Sequence, residues 1–351
     1  MRGAIFLLNS KRFYDKISKN MLERRMRMKS FVAGKNDSGQ RLDKFISKSV
    51  PSLPSSLMYK YIRKKRIKVN SKRADIDTRL SEGDVIEMYI SDEFFDNGKK
   101  NYDFLTASKN LKIVYEDENI ILADKPAGVL SHPDETEFND TLITRIKRYL
   151  YEKGEYDPES ENSFAPSLVN RIDRNTAGIV IAAKNFESLK ILNQKLKDRE
   201  IEKYYLCVVH GEFEKKKDKL TAYMIKDESK NKVSVYSKPV PGAKTMITGY
   251  EVLKQGKNIS LLEIRLFTGR THQIRAHLAF EGHPLVGDGK YGSNALNKSL
   301  GFKKQLLCSY KLQFDFKTDA GILNYLNGKS FRIEDVWFER EFPDFGLSET
   351  K

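Results

Sequence analysis

Two apolar runs, residues 168–172 and 179–183, have the length and β-branched content of buried strands. Between them lies Asp173-Arg-Asn-Thr-Ala-Gly178, a polar turn closed by a glycine that can take φ > 0. Asp173 therefore leaves the end of a buried strand on a tightly held loop, with Arg171 and Arg174 on either side. Flanking cations favour the ionised form of a carboxylate. That suits a nucleophile working on a polyanionic ligand. The plainer reading is a surface turn whose aspartate caps the loop.

Charge separates these readings. The 351 residues carry 63 Lys and Arg against 48 Asp and Glu, a formal net charge of +15. An enzyme of small metabolites has no need of that excess, whereas a binder of polyanions does. Much of it is clustered: eight basic residues and no acidic one fall between Lys60 and Arg73. Cys207 and Cys308 are the only cysteines, which excludes a disulfide framework and a thiolate metal site. His272 and His277 are five apart, so they lack the i, i+4 spacing of a helical zinc pair. No apolar run approaches the roughly 18–20 residues of a membrane span. The expectation is a cytoplasmic, metal-free monomer without a cofactor or membrane contact, and with a polyanion as its partner.

Residues 1–28 are expected to be a basic extension. The apolar residues 4–8 precede most of the positive charge, the reverse of a secretory signal, and no small-residue cleavage site follows. We expect Met26 or Met28 to be the true start. Residues 29–92 then read as a small α/β module. Leu42, Phe45 and Ile46 fall on one face of a first helix. Ser55 or Ser56 caps a second, carrying Met58, Tyr61 and Ile62. The basic run, including Lys64, Lys65, Arg66 and Lys68, leads from that helix into an alternating strand. Residues 93–110 are polar and aperiodic, as a linker is. A second domain is expected over residues 111–346.

In that domain two short strands flank the turn at residues 116–119, and residues 152–163 read as a surface loop. A helix is expected from Phe186 to about Asp198, with Leu189, Leu192 and Leu196 on one face. Residues 203–211 form a strand apolar on both faces, hence internal to a sheet. Residues 259–267 form another, after which Thr271 caps a helix bearing Arg275, with Arg270 just before it. Alternating strands are expected over residues 306–317 and 330–342, with Trp337 packed among them. Gly287-Asp-Gly-Lys-Tyr-Gly292 fits the bare G-x-G-x-x-G spacing. It follows a helix and a proline turn, not a buried strand, so it reads as a glycine-rich loop and no dinucleotide is implied.

Asn170-Arg-Ile-Asp-Arg-Asn-Thr-Ala-Gly178 resembles the His-Arg-Leu-Asp-x-x-Thr-Ser-Gly signature of RluA-type pseudouridine synthases, with Asn170, Ile172 and Ala177 as departures. Lys203-Tyr-Tyr-Leu-Cys-Val-Val-His-Gly211 resembles that family's Lys-x-Tyr-x-Ala-x-Val-x-Gly. Residues 268–292 match its third motif, and Lys125-Pro-Ala-Gly128 with Leu130-Ser-His-Pro133 its opening segment, where His132 reads as a loop contact. Arg41-Leu-Asp-Lys44, the basic helix and Glu82-Gly-Asp84 resemble an S4 RNA-binding domain, which usually has Gly where this chain has Lys65 or Arg66.

The resemblance implies an α+β protein: an S4 module, then a catalytic domain with a mixed, largely antiparallel sheet. It implies isomerisation of RNA uridines, most readily of large-subunit ribosomal RNA, to pseudouridine. Asp173 would be catalytic, Tyr205 an aromatic wall and proton acceptor, and Arg275 the partner that holds Asp173 ionised. Arg171 would fill the space of a flipped nucleotide, with Arg174 and Arg270 beside the RNA. Two rivals are a non-catalytic S4-containing ribosome assembly factor and a synthase acting on transfer RNA. Another S4-bearing enzyme, a methyltransferase or tRNA synthetase, would need signatures that are missing from this sequence.

Overall fold

The computed structural model describes residues 28–95, 102–229, 231–340 and 342. The expected basic extension, apart from Met28, lies outside them, as do residues 96–101 and 343–346. The chain forms two compact units: one runs to Tyr102 and takes in Gly154–Ala165, the other holds Asp103–Lys153 and everything from Pro166.

In the first unit β1 (Met28–Val32), α1 (Leu42–Ser49), α2 (Ser55–Arg63), β2 (Ile67–Val69), β3 (Lys72–Arg73) and β4 (Val85–Tyr89) follow in order. The sheet order is β1-β4-β2-β3, antiparallel throughout. Leu42, Phe45 and Ile46 of α1 and Met58 and Ile62 of α2 are buried against it, as their i, i+3, i+4 spacing requires. No serine caps α2. Pro54 holds that position, with φ −58° and ψ 138°, and its carbonyl accepts the first helical N–H groups. After α2 the chain turns at Lys65, whose φ of 60° is the left-handed conformation that favours glycine.

Residues 152–163 are more than a surface loop. The Asp37 carboxylate is buried and takes hydrogen bonds from the Asn162 amide (2.8 Å), the Ser163 hydroxyl and the Gly34 N–H (2.9 Å). A buried carboxylate must find donors. Those polar side chains serve a protein partner instead of water.

In the second unit β5 (Lys112–Glu116), β6 (Ile120–Lys125), α3 (Leu142–Glu152), β7 (Ser167–Leu168), β8 (Ala177–Ala183) and α4 (Phe186–Lys197) come first. β9 (Ile201–His210), β10 (Lys217–Asp227), β11 (Lys232–Tyr236), β12 (Lys244–Gly256), β13 (Ile259–Leu266), α5 (Gln273–Phe280), β14 (Leu307–Phe314) and β15 (Ser330–Arg332) complete it. Eleven strands make one sheet, β11-β10-β12-β13-β9-β14-β8-β6-β5, with β15 on β14 and β7 on β8. The pairing is antiparallel except between β14 and β8, so the sheet is mixed and largely antiparallel. β9 lies between β13 and β14, internal to the sheet as expected, and residues 205–210 are buried on both faces. Asn185 caps α4 by accepting the Ser188 N–H at 2.8 Å.

Residues 103–110 belong to this unit: Phe104 is buried, its ring 5.7 Å from that of Tyr151. The C-terminal alternation stops at β15. A short helix, Trp337–Arg340, follows, with Phe338 and Phe342 buried and Trp337 43% exposed. These phenylalanines take the core position expected of the tryptophan.

Candidate active site

The strand expected over residues 168–172 lasts only two residues. Val169 N–H still donates to the Ile181 carbonyl (2.8 Å), but the Ile181 N–H is taken by the side-chain Oδ1 of Asn170 (2.8 Å). A side-chain amide thus replaces the next backbone rung, and the chain leaves the ladder before Asp173. The Ser131 hydroxyl donates to the Ile172 carbonyl (3.0 Å), and Thr176 N–H donates to the Asp173 carbonyl (3.0 Å). Gly178, with φ 115°, lies so near β14 that a Cβ would come within 2.3 Å of the Ser309 carbonyl oxygen. Only glycine fits that crossing.

Lys125, at the end of β6, secures the far side of the loop. Its wholly buried ammonium donates to the carbonyls of Val129 (2.7 Å), Arg174 (3.0 Å) and Pro126 (3.1 Å). Burial pushes its pKa down to about 7. Two loops are thereby tied to one side chain, which fixes the backbone next to Asp173.

The Asp173 carboxylate faces α5. Arg275 Nη1 donates to Asp173 Oδ2 at 2.8 Å, while Arg275 Nε and Nη2 donate to the two oxygens of Asp288 at 2.7 and 3.0 Å. Asp288 is wholly buried and also accepts the N–H groups of Lys290 (2.8 Å) and Tyr291 (3.2 Å). Burial works to raise its pKa, but Arg275 and these N–H groups prevail and hold it below the usual carboxylate range. Burial works against the Arg275 cation; Asp288 and then Asp173 outweigh it, and the guanidinium stays charged. Asp173 Oδ1 takes no hydrogen bond among the described residues. His272 Nε2 stands 3.9 Å from Asp173 Oδ2, and its Nδ1 is 2.9 Å from the Tyr291 hydroxyl. Burial lowers the pKa of His272, with Asp173 opposing.

Thr271 does not cap α5. The helix starts at Gln273, His272 sits before it at φ 51°, and the Gln273 side chain accepts the Arg270 N–H (3.0 Å) and the Thr268 hydroxyl (2.8 Å). The Gln273 side chain ties down the turn before the helix, and no side chain caps the helix itself. Arg275 faces two carboxylates of the chain itself. Arg270 precedes the helix and donates through Nε to the Thr245 carbonyl at 3.3 Å.

Tyr205 on β9 is 6% exposed; burial pushes its phenol up to about 12, against a contact with Ser309. It is a neutral phenol at neutral pH, able to donate and to accept a hydrogen bond. Arg171 and Arg174 are exposed, the latter donating through Nε to the Gly128 carbonyl at 3.1 Å. Lys64, Lys65, Arg66 and Lys68 lie in the first unit, where Lys64 and Lys65 are exposed and the Arg66 guanidinium rests 5.6 Å from the Tyr61 ring centre. Asp288, His272, Tyr291 and Lys125 were not singled out by sequence as site residues. All four nevertheless lie in segments that resemble known motifs, Lys125 at the head of Lys125-Pro-Ala-Gly128 and the others within residues 268–292. Among the described residues no group of three His, Cys, Asp or Glu could hold a metal ion. No helix among them is long and apolar enough to cross a membrane.

A carboxylate with one oxygen held by a buried arginine and the other uncommitted, on a loop with exposed arginines, is an arrangement that nucleophilic or acid–base chemistry on an anionic substrate can use. Residues 119–280 match the family model of RNA pseudouridylate synthases, and residues 40–86 that of the S4 domain. An uncharacterised RNA pseudouridine synthase of Mycoplasma genitalium is 37% identical over 318 residues, 88% of this chain and 97% of its own length. The ribosomal large subunit pseudouridine synthase C of Haemophilus influenzae is 28% identical over 85% of this chain and 90% of its own. The solved structure of human RNA pseudouridylate synthase domain containing 1 shares the fold, with a TM-score of 0.52 at 20% identity over 68% of this chain and 87% of its own. The chain belongs to the RNA pseudouridine synthase family, with an S4 domain ahead of the synthase domain. It is an enzyme that isomerises uridine in RNA to pseudouridine.

Proposed function

We propose that the chain converts specific uridines of large-subunit ribosomal RNA to pseudouridine, with Asp173 acting on a nucleotide flipped out of its stack. The observation that carries the catalytic assignment is the divided state of Asp173: Oδ2 is held at 2.8 Å by Arg275, and Oδ1 is uncommitted. In the reaction the C1′–N1 bond breaks, the uracil turns, and C1′ bonds to C5. The C5 proton is lost and N1 gains one, so no redox partner or co-substrate is needed. Arg275 keeps Asp173 charged and aimed. Tyr205 supplies a wall for the base as a neutral phenol. Arg171 enters the gap left in the stack, and Arg174 and Arg270 meet nearby phosphates.

The choice of RNA is supported by relatives named as ribosomal large subunit pseudouridine synthases C and D, the latter from Borreliella burgdorferi and 33% identical over 222 residues. Residues 29–92 act as the RNA-gripping module, with Lys64, Lys65, Arg66 and Lys68 on backbone phosphates. The working form is a cytoplasmic monomer. Pseudouridines mapped across all cellular RNA, with and without the gene, test the reading: the lost sites should lie in large-subunit ribosomal RNA. Loss confined to transfer RNA would overturn it.

A further inference from the structure

A cavity of about 340 Å³ lies between the C-terminal end of α4 and the loop following β13. Lys197, Arg199, Lys203, Arg265 and Arg270 contribute cations to its lining and Glu202 the one acid. Glu202 is already engaged, accepting from Arg265 and from the Tyr204 hydroxyl (2.5 Å). Arg270 uses only Nε, on the Thr245 carbonyl. Lys203 is half-buried, and its ammonium has no hydrogen-bond or ion-pair partner among the described residues. Burial lowers its pKa with no acid to oppose the shift. A half-buried cation without a counter-charge, in a cavity of like charges, is unfavourable unless an anion arrives.

The substrate is itself the nearest source of one. Lys203 and Tyr205 are two apart on β9 and share a sheet face. Arg270 is two residues before His272, which stands 3.9 Å from Asp173. Two residues span at most about 7 Å, so the Arg270 segment puts the cavity a short step from Asp173, whose charge also acts on the Tyr205 phenol. Base stacking does not fit, because the Phe267 ring in the lining is already covered by Lys219 (4.4 Å) and Arg265 (4.8 Å).

We propose that this cavity is a phosphodiester subsite for a nucleotide flanking the target uridine, with Lys203 at its base and Arg199 and Arg270 at its rim. The assignment rests on the reading that Asp173 acts on a flipped nucleotide of the RNA. Its role is to seat the RNA backbone, not to touch the reacting base.

The test uses the full chain and total RNA labelled with [5-³H]uridine in cells lacking the gene, since isomerisation releases the C5 tritium whichever RNA is the substrate. Lys203→Met should raise the half-saturating RNA concentration about tenfold and lower the salt slope of binding by about 0.7 to 0.9, one phosphate's worth of counterions. The saturated rate should stay within about threefold, and Lys203→Arg should restore most of the affinity. An unchanged salt slope, or a collapse of the saturated rate at unchanged half-saturation, overturns the proposal. If Lys203→Met does not melt cooperatively, Arg199→Ala, at an exposed position, takes its place with the same two criteria. Asp173→Asn run in parallel separates the failures: normal tritium release by it would sink the catalytic reading, while the salt slopes still decide the subsite.

Discussion

Arg275 gives Asp173 a single N–H at 2.8 Å and keeps its two-pronged contact for another carboxylate, Asp288. The division matters because a fork-to-fork arginine pair immobilises both carboxylate oxygens. Forked onto Asp288, the guanidinium is oriented whether or not Asp173 moves. Asp173 then gains a fixed positive neighbour while one of its oxygens stays available. The pair is built to hold a reactive carboxylate, with Asp288 as its foundation.

Asp173→Asn keeps the size and much of the hydrogen-bonding capacity but removes the charge and the nucleophile. Turnover should fall by several orders of magnitude, since Asp288, the other carboxylate on Arg275, is wholly buried and already engaged. RNA affinity should stay within about a few fold, because backbone contacts supply most of it. Single-turnover tritium release and a binding isotherm on the same RNA measure both. Near-normal pseudouridine formation would remove Asp173 from the chemistry.

Asp288→Asn attacks the foundation. It leaves a buried guanidinium with half its compensation, a change that typically costs about 3–5 kcal/mol. Urea unfolding should register that loss. The saturated rate should drop while half-saturation changes little, because Arg275 is then free to swing onto both oxygens of Asp173. Combined with Asp173→Asn, the stability losses should be non-additive by about 0.5–3 kcal/mol, as both act through one guanidinium. Strict additivity would mean that the two carboxylates do not share Arg275 in solution.

What could be read from the sequence is what depends on neighbours along the chain. The Asp173 loop, the β9 pattern and the α1 and α2 faces are local sequences of residue types, and each is found where expected. β10 to β12 were not read from the sequence, although on β10 the exposed Lys217, Lys219 and Thr221 alternate with Leu220, Ala222 and Met224 as on a half-buried strand. Asp288 was legible only as a turn residue, since its meaning comes from Arg275 on another element. Residues 152–163 were read as a surface loop because polar composition does not distinguish water from a buried partner such as Asp37. Asn170 ended a strand early because a side chain can supply a rung of the ladder, which apolar patterning does not register.

His277 sets a pH limit on stability. The Gln273 amide donates to the Thr248 hydroxyl (3.0 Å), whose oxygen lies 2.9 Å from His277 Nδ1. The ring is wholly buried, and burial pushes its pKa down to about 4 from an ordinary 6.5. Between those values the unfolded chain binds more protons than the folded one, so stability is full above 6.5 and is lost as pH falls toward 4. At about 1.4 kcal/mol per pH unit, the loss from pH 7 to 4.5 is about 2 kcal/mol. Urea unfolding at both pH values should show this difference, and His277→Gln should lack it. An equal acid loss in the variant would assign the sensitivity to other groups.

Lys65 offers a way to separate strain from RNA contact. Its φ of 60° costs a side-chain-bearing residue about 1–2 kcal/mol that glycine avoids. Part of the relief is offset because glycine loses more chain entropy on folding, so Lys65→Gly should stabilise the first unit by roughly 0.5–1 kcal/mol. Lys65→Asn, which tolerates the same backbone, should be closer to neutral. Both remove one positive charge from the exposed cluster at the end of α2. If that charge meets a phosphate, both should lower the salt slope of RNA binding by about 0.7 to 0.9 and weaken binding to the same degree. Stability and affinity would then move in opposite directions for Lys65→Gly, which a destabilised module cannot mimic. A salt slope equal to that of the unaltered protein would show that Lys65 is retained for something other than RNA, and would leave the grip to Lys64, Arg66 and Lys68.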